Sequence, residues 1–190
     1  MKFVGVIIVI AILAMCSFLI LEKNKESESI VVDESKTEEI TPPKTDILNV
    51  KMVTIKTSKG NIKLELYPEQ APKTVQNFLN KIDSKFYDNL TFHRVEDWVI
   101  QGGDPLGTGT GGGKMPTELN DLPFVMGSLG VARGQDISLS NDSQFFIVTQ
   151  DANWLDKQYT NFGKVIEGME VVNKIQIGDK ILGIVLNETP

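Results

Sequence analysis

The chain has little of what metal and thiol chemistry require. Its 190 residues include one cysteine, Cys16, and one histidine, His93. A lone cysteine excludes an intrachain disulfide and a cysteine-based metal site, and a lone histidine excludes a multi-histidine centre. No metal and no cofactor is therefore expected. A basic excess is missing too: 19 Lys and Arg stand against 25 Asp and Glu, a net charge of −6. Nucleic-acid binding needs a basic footprint, so that class is set aside. Aromatic residues make up only 7% of the chain, while the hydrophobic share of 41% suffices for one globular core, not two.

The charge is unevenly spread. Residues 22–50 carry four lysines against eight acids, while residues 51–190 carry fourteen cations against seventeen acids. The acidity thus belongs to a segment that also has no aromatic residue and ends near Pro42-Pro43. Such a stretch cannot bury enough apolar surface to offset its ordering entropy, and it reads as a linker. Before it, Phe3 to Leu21 forms 19 consecutive uncharged, mainly apolar residues. As a helix this run would span roughly 28 Å, near a bilayer's hydrocarbon thickness. It lacks a small-x-small cleavage site, and in Leu13-Ala14-Met15-Cys16 a methionine stands where a lipoprotein box wants a small residue. An uncleaved membrane anchor is the expectation, with the remainder of the chain outside the cytoplasm. Secretion or lipid anchoring after cleavage is the alternative. The domain plan is 1–21 anchor or signal, 22–50 linker and 51–190 folded domain.

From Val50 the pattern is that of short strands. Val53 and Ile55 lead to a turn at Ser58-Lys59-Gly60-Asn61, after which Ile62, Leu64 and Leu66 alternate with Lys63 and Glu65. That is a hairpin with one buried face. Pro72 suits the first turn of a helix running to about Lys85, striped by Val75, Phe78, Leu79 and Ile82. Strands are expected at Phe92–Gln101, Val125–Ala132, Ser143–Thr149, Phe162–Ile166 and Ile181–Leu186, with a loop over Arg133–Asp142 and a short helix around Met169–Ile175. Many short strands and two helices indicate a mainly β barrel or sandwich with helical caps.

Some chemistries fail on spacing. Gly107, Gly109 and Gly112 formally spell the dinucleotide pattern, but Lys114-Met115-Pro116 follows where a helix should begin. Ser128, in Met126-Gly127-Ser128-Leu129-Gly130, misses the nucleophile-elbow spacing by one residue. What remains is the run Phe92-His93-Arg94-Val95-Glu96-Asp97-Trp98-Val99-Ile100-Gln101-Gly102-Gly103-Asp104. Its Arg94, Trp98 and Gln101 supply a cation, a flat apolar group and an amide, which suits a pocket for a peptide segment.

This run, Ser143-Gln144-Phe145-Phe146-Ile147, Trp154-Leu155-Asp156 and Phe162-Gly163-Lys164-Val165 resemble, in order, the hallmarks of cyclophilin-type peptidyl-prolyl cis-trans isomerases. The resemblance extends from about Val53 to Leu186. It implies a closed eight-stranded antiparallel β-barrel capped by two α-helices, with a groove on the outer face for proline-containing polypeptides. Arg94 matches the catalytic arginine. Phe92, His93, Trp98, Val99, Gln101, Gln144 and Phe146 match substrate-binding positions, and Ala132 and Arg133 the segment that bonds the substrate backbone. Trp154 and Leu155 match the groove wall, and Tyr159 replaces a common histidine. Asparagine is frequent where Arg133 stands, and the Arg94–Gln101 interval is one residue shorter than in familiar eukaryotic members. The resemblance further implies cyclosporin binding and a monomer.

The implied chemistry needs no acid, base or metal. Rotation about the X-Pro amide must overcome a barrier of ~18–20 kcal/mol arising from resonance. The twisted state leaves a lone pair on the prolyl nitrogen, which a cation donating towards it stabilises more than either planar state. The alternative is a catalytically weak peptide-binding module on the same barrel. Keeping Arg94, Gln101 and Phe146 together argues against it.

Overall fold

The computed structural model describes residues 50–187. The expected anchor at 1–21 lies outside the described residues, as does the expected linker apart from Val50. No helix among the described residues is long and apolar enough to cross a membrane.

The alternating pattern at the start of the domain folds as it reads. Strands β1 (Lys51–Thr57) and β2 (Gly60–Leu66) pair antiparallel, with Val53 opposite Leu64 and Ile55 opposite Ile62. These four and Leu66 are wholly buried, each such side chain contributing ~1.5–3 kcal/mol relative to exposure. Helix α1 (Pro72–Asp83) follows, with Val75, Phe78 and Ile82 turned inward. The Phe78 ring lies edge-on to Phe145 and Phe162, at centroid distances of 5.7 and 5.4 Å. Ala71 gives the helix no side-chain cap; instead the distant Glu118 carboxylate accepts the free N–H groups of Lys73 and Thr74, at 3.0 and 2.7 Å.

The remaining strands are β3 (Arg94–Glu96), β4 (Val99–Gly102), β5 (Lys114–Pro116), β6 (Ser128–Arg133), β7 (Leu139–Val148), β8 (Asn161–Glu167) and β9 (Ile181–Asn187), with α2 (Met169–Val172) between the last two. Eight of the nine strands form the antiparallel order β3-β4-β7-β6-β8-β2-β1-β9, and β5 adds to β7. The curled, helix-capped, mainly β architecture is the expected one. Its cylinder is not fully closed, however. The end strands β3 and β9 share no ladder, and the seam carries one bridge, Thr91 to Lys180, reinforced by Phe92 N–H to Asp179 O at 2.9 Å and Ile181 N–H to Leu90 O at 2.8 Å.

Strand β5 is not among the strands expected from the sequence, α2 stops at Val172 rather than near Ile175, and three strand boundaries differ as well. The single strand expected at Phe92–Gln101 is two, β3 and β4, folded on each other through Asp97-Trp98. Strand β6 begins at Ser128 because Val125–Gly127 makes a turn closed by Ser128 N–H to Val125 O. Residues Leu139–Asp142, expected in a loop, belong to β7, where β5 pairs with Leu139–Asn141.

Side chains on the inner face of the sheet and on α1 form the main core. A second, smaller core lies elsewhere: Val99, Phe124, Phe146, Val148, Ala152 and Leu155, with Trp98, Ala132 and Tyr159 packed against it. Ile100 and Ile147 belong to the main core while their strand neighbours Val99, Phe146 and Val148 belong to the second. Alternation along β4 and β7 thus places the second core on the outer face.

Candidate active site

One row of paired residues crosses this outer face. Arg94 on β3 is opposite Gln101 on β4, Gln101 is opposite Phe146 on β7, and Phe146 is opposite Gly130 on β6. Cation, amide, aromatic ring and bare backbone therefore stand side by side, an arrangement set by sheet register rather than by any loop. Phe146 stacks on Phe124 at 5.6 Å and 26° and meets Tyr159 edge-on at 5.7 Å. The 3₁₀ turn Asn153–Leu155 brings in Leu155, buried, and Trp154, 59% exposed, whose ring stands edge-on to Trp98 at 5.5 Å.

These groups enclose a cavity of about 470 Å³ lined by Arg94, Trp98, Gln101, Ala132, Arg133, Phe146, Trp154, Leu155, Gln158 and Tyr159. Its floor is apolar, and its polar groups are two arginines, two amides and a phenol. Such a hollow accepts a compact apolar ring flanked by peptide groups. A second cavity of about 430 Å³ adjoins it at Gln101, Ala132 and Arg133 and runs under the glycine-rich loop 107–113.

The arginine is held from two sides. Arg94 donates from Nε to Glu96 Oε1 at 2.8 Å and from Nη2 to Glu96 Oε2 at 3.0 Å, while Nη1 donates to Gln101 Oε1 at 3.1 Å. Its guanidinium carbon lies 5.1 Å from the centre of the Trp98 ring, within cation–π range. Trp98 Nε1–H donates to the same Glu96 carboxylate, at 3.0 Å. Arg94's hydrogen bonds hold the Glu96 carboxyl below its usual range. Three of the guanidinium's five N–H groups are thus engaged, leaving two for a ligand.

The amide network continues inward. Gln101 Nε2 donates to Gln144 Oε1 at 2.8 Å, and Gln144 Nε2 donates to the carbonyls of Gly109 and Gly111 at 3.1 and 2.8 Å. The glycine-rich loop is also tied to Asp104, whose carboxylate accepts the N–H groups of Leu106, Thr108 and Gly109. Burial pushes the Asp104 carboxyl up, but the backbone N–H groups of Leu106, Gly109, Gly111 and Thr108 outweigh it and leave its pKa below the usual range. Gly107, Gly109 and Gly112 all adopt φ between 68° and 86°, a backbone that side chains rarely accept.

Nine of the thirteen residues singled out from the sequence line this first cavity: Arg94, Trp98, Gln101, Ala132, Arg133, Phe146, Trp154, Leu155 and Tyr159. Gln144 lines the second. Three line neither. Phe92 is wholly buried in the main core, and Val99 is wholly buried in the core beneath the first cavity. His93 lies against Gly109 with both ring nitrogens buried and unpartnered, and burial lowers its pKa. Glu96, which the sequence offered only as an ion-pair partner for Arg94, and Phe124 and Gln158, which it did not single out, also belong to the site. Glu96 carried a signal, standing two residues from Arg94 and so on the same strand face; Phe124 and Gln158 carried none.

A groove of this kind, with an apolar floor and cations and amides around it, is suited to an extended peptide segment. The family model described as cyclophilin type peptidyl-prolyl cis-trans isomerase/CLD matches residues 52–185, and the chain belongs to that family. A peptidyl-prolyl cis-trans isomerase of Helicobacter pylori is 40% identical over 167 residues, covering 84% of this chain and 99% of the relative. Peptidyl-prolyl cis-trans isomerase 9 of Schizosaccharomyces pombe is 40% identical over 145 residues, 70% of this chain but 23% of that protein. The crystal structure of a Cryptosporidium parvum cyclophilin type peptidyl-prolyl cis-trans isomerase, determined in the presence of the dipeptide Ala-Pro, superposes with a TM-score of 0.68 at 33% identity, covering 73% of this chain and 99% of that one.

Proposed function

We propose that this chain accelerates cis–trans isomerisation of X-Pro bonds in polypeptides, with Arg94 as the catalytic residue. The observation that carries the proposal is the Arg94–Gln101–Phe146 row along one side of the cavity. The proline ring fits against Phe146, Leu155 and Trp98, as an Ala-Pro dipeptide accompanies the related Cryptosporidium protein. The carbonyl-bearing residues on either side lie along Gln101 and the backbone of Ala132–Arg133. Arg94 then faces the prolyl nitrogen with its two unengaged N–H groups, and donation strengthens as the amide twists and its lone pair forms. No proton moves and no bond breaks. A protease-coupled assay on an X-Pro peptide, using residues 49–190, tests this. A rate above the uncatalysed one supports it, and peptide binding without acceleration leaves only a binding module.

The Phe3–Leu21 run supports membrane attachment, with residues 22–50 as spacer and the domain outside the cytoplasm. Recovery of the intact protein in the membrane fraction is the expected result; a fully soluble, N-terminally trimmed protein contradicts it. A monomer suffices, since one chain supplies every cavity-lining residue.

A further inference from the structure

We propose that Glu96 is a positioning residue for the isomerisation, fixing the plane of the catalytic cation. The inference rests on the assignment of Arg94 above. Arg94 and Glu96 are two apart on β3 and project to the same face, while Val95 between them packs against the main core. The chain then turns through Asp97 and Trp98, bringing the indole back over the pair. One carboxylate accepts three hydrogen bonds there: Arg94 Nε at 2.8 Å, Arg94 Nη2 at 3.0 Å and Trp98 Nε1 at 3.0 Å.

The geometry decides what this triple contact does. Glu96 is exposed and on the rim, so the ion pair adds little to stability in water. It is a side-on, two-point grip, and such a grip fixes the plane of a guanidinium as well as its position. Gln101 Oε1, on the paired strand, holds Nη1 at 3.1 Å, so the plane is pinned from two directions. The two N–H groups left over are then aimed before substrate arrives. An arginine on a four-bond stem, without that grip, samples many rotamers and reaches the prolyl nitrogen only part of the time. Trp98 is tied to the same carboxylate, so the flat apolar wall and the donor keep a fixed spacing.

This role predicts a loss in turnover rather than in binding or folding. Exchange NMR on an X-Pro peptide gives kcat and KM for six proteins: wild type, Glu96→Ala, Glu96→Gln, Asp97→Asn, Arg94→Ala and the Arg94→Ala/Glu96→Ala double variant. Glu96→Ala is expected to lower kcat about 5- to 20-fold with KM changed less than about twofold, the signature of an interaction that matters only in the transition state. Melting temperature should stay close to the wild type. Glu96→Gln keeps an acceptor for Trp98 and one guanidinium N–H, and should recover part of the loss. Because Glu96 acts through Arg94, adding Glu96→Ala to Arg94→Ala should cost less than about a further twofold, a strong departure from additivity. Asp97→Asn removes an equal charge one residue away and should leave kcat in place.

The proposal is overturned if Arg94→Ala is impaired while Glu96→Ala turns over as fast as wild type or faster. It is equally overturned if Glu96→Ala costs the same factor in both backgrounds, which would mean it acts without Arg94. An Arg94→Ala protein with wild-type kcat instead overturns the Arg94 assignment, and this inference with it.

Discussion

The ring of Phe146 occupies the space that a β-carbon at Gly130 would need. The two residues are directly paired across β7 and β6, and a Cβ at position 130 would meet the ring's Cζ and both Cε atoms well inside contact distance. The floor of the cavity is therefore an aromatic ring laid flat on bare backbone, and glycine is required for close approach at this point.

It follows that Gly130→Ala should damage the cavity more than its size suggests. Phe146 cannot sink, because Phe124 stacks on it. Displacing it towards the proline should cost about 1–3 kcal/mol of strain, as overpacked cores do. If about half of that strain falls on substrate binding, kcat/KM drops roughly two- to tenfold. A Gly130→Ala/Phe146→Leu double variant should regain melting temperature but not activity. Calorimetry and peptide isomerisation on both variants check this, and a fully active Gly130→Ala protein would contradict it.

Asp104 gives the fold an acid-sensitive joint. Its carboxyl has a lowered pKa because the N–H groups of the glycine-rich loop outweigh the effect of burial. A group whose folded pKa is depressed contributes stability above its unfolded pKa, and that contribution is lost as pH falls through the folded value. Asp104→Asn should thus melt below the wild type at about pH 7, and the gap should narrow below about pH 4, the ordinary carboxylate range. Hydrogen exchange at Leu106, Thr108 and Gly109 should rise in the variant. A gap independent of pH would rule out the carboxylate as the anchor.

Tyr159 bears on inhibition. Its ring meets Phe146 edge-on, and the Arg133 guanidinium lies 4.4 Å from its centre. Tyr159 lines the cavity where the family resemblance sets a smaller histidine, and its larger ring takes up room there. Cyclosporin is expected to inhibit, and Tyr159→His should tighten its Kd on the order of tenfold, the low end of what a small change of fit counts for in an apolar pocket. Titration calorimetry reads both, and an absence of any binding to either protein would count against the groove.

How much of this was legible in the sequence depended on whether a residue's neighbours were local. The β1–β2 hairpin and α1 read off directly, since Ile62, Leu64 and Leu66 alternate and Val75, Phe78 and Ile82 recur at helical spacing. The turn at Asp97-Trp98 did not, because no glycine or proline marks it and Val95, Val99 and Ile100 read as one apolar strand. The early part of β7 is polar, and its partners, β5 some 25 residues upstream and Arg133 of β6, make it a strand. Phe92 stands two residues before Arg94, yet β3 starts at Arg94, so the strand's alternation does not extend to it. Phe124 stacks beneath Phe146 across a sequence gap that no local pattern spans.

The central claim is that Arg94 stabilises the twisted prolyl amide, and kcat/KM of Arg94→Ala measured beside its melting temperature tests it most directly. A charge-assisted hydrogen bond contributes ~1.5–3 kcal/mol, and each ~1.4 kcal/mol is a factor of ten in rate. The account predicts a loss on the order of 10- to 100-fold, with melting nearly unchanged because the pair with Glu96 is half-exposed. Arg94→Lys should recover only part of the rate, since a point charge cannot reproduce the planar fork. An Arg94→Ala protein that isomerises at the wild-type rate and is merely less stable would contradict the account.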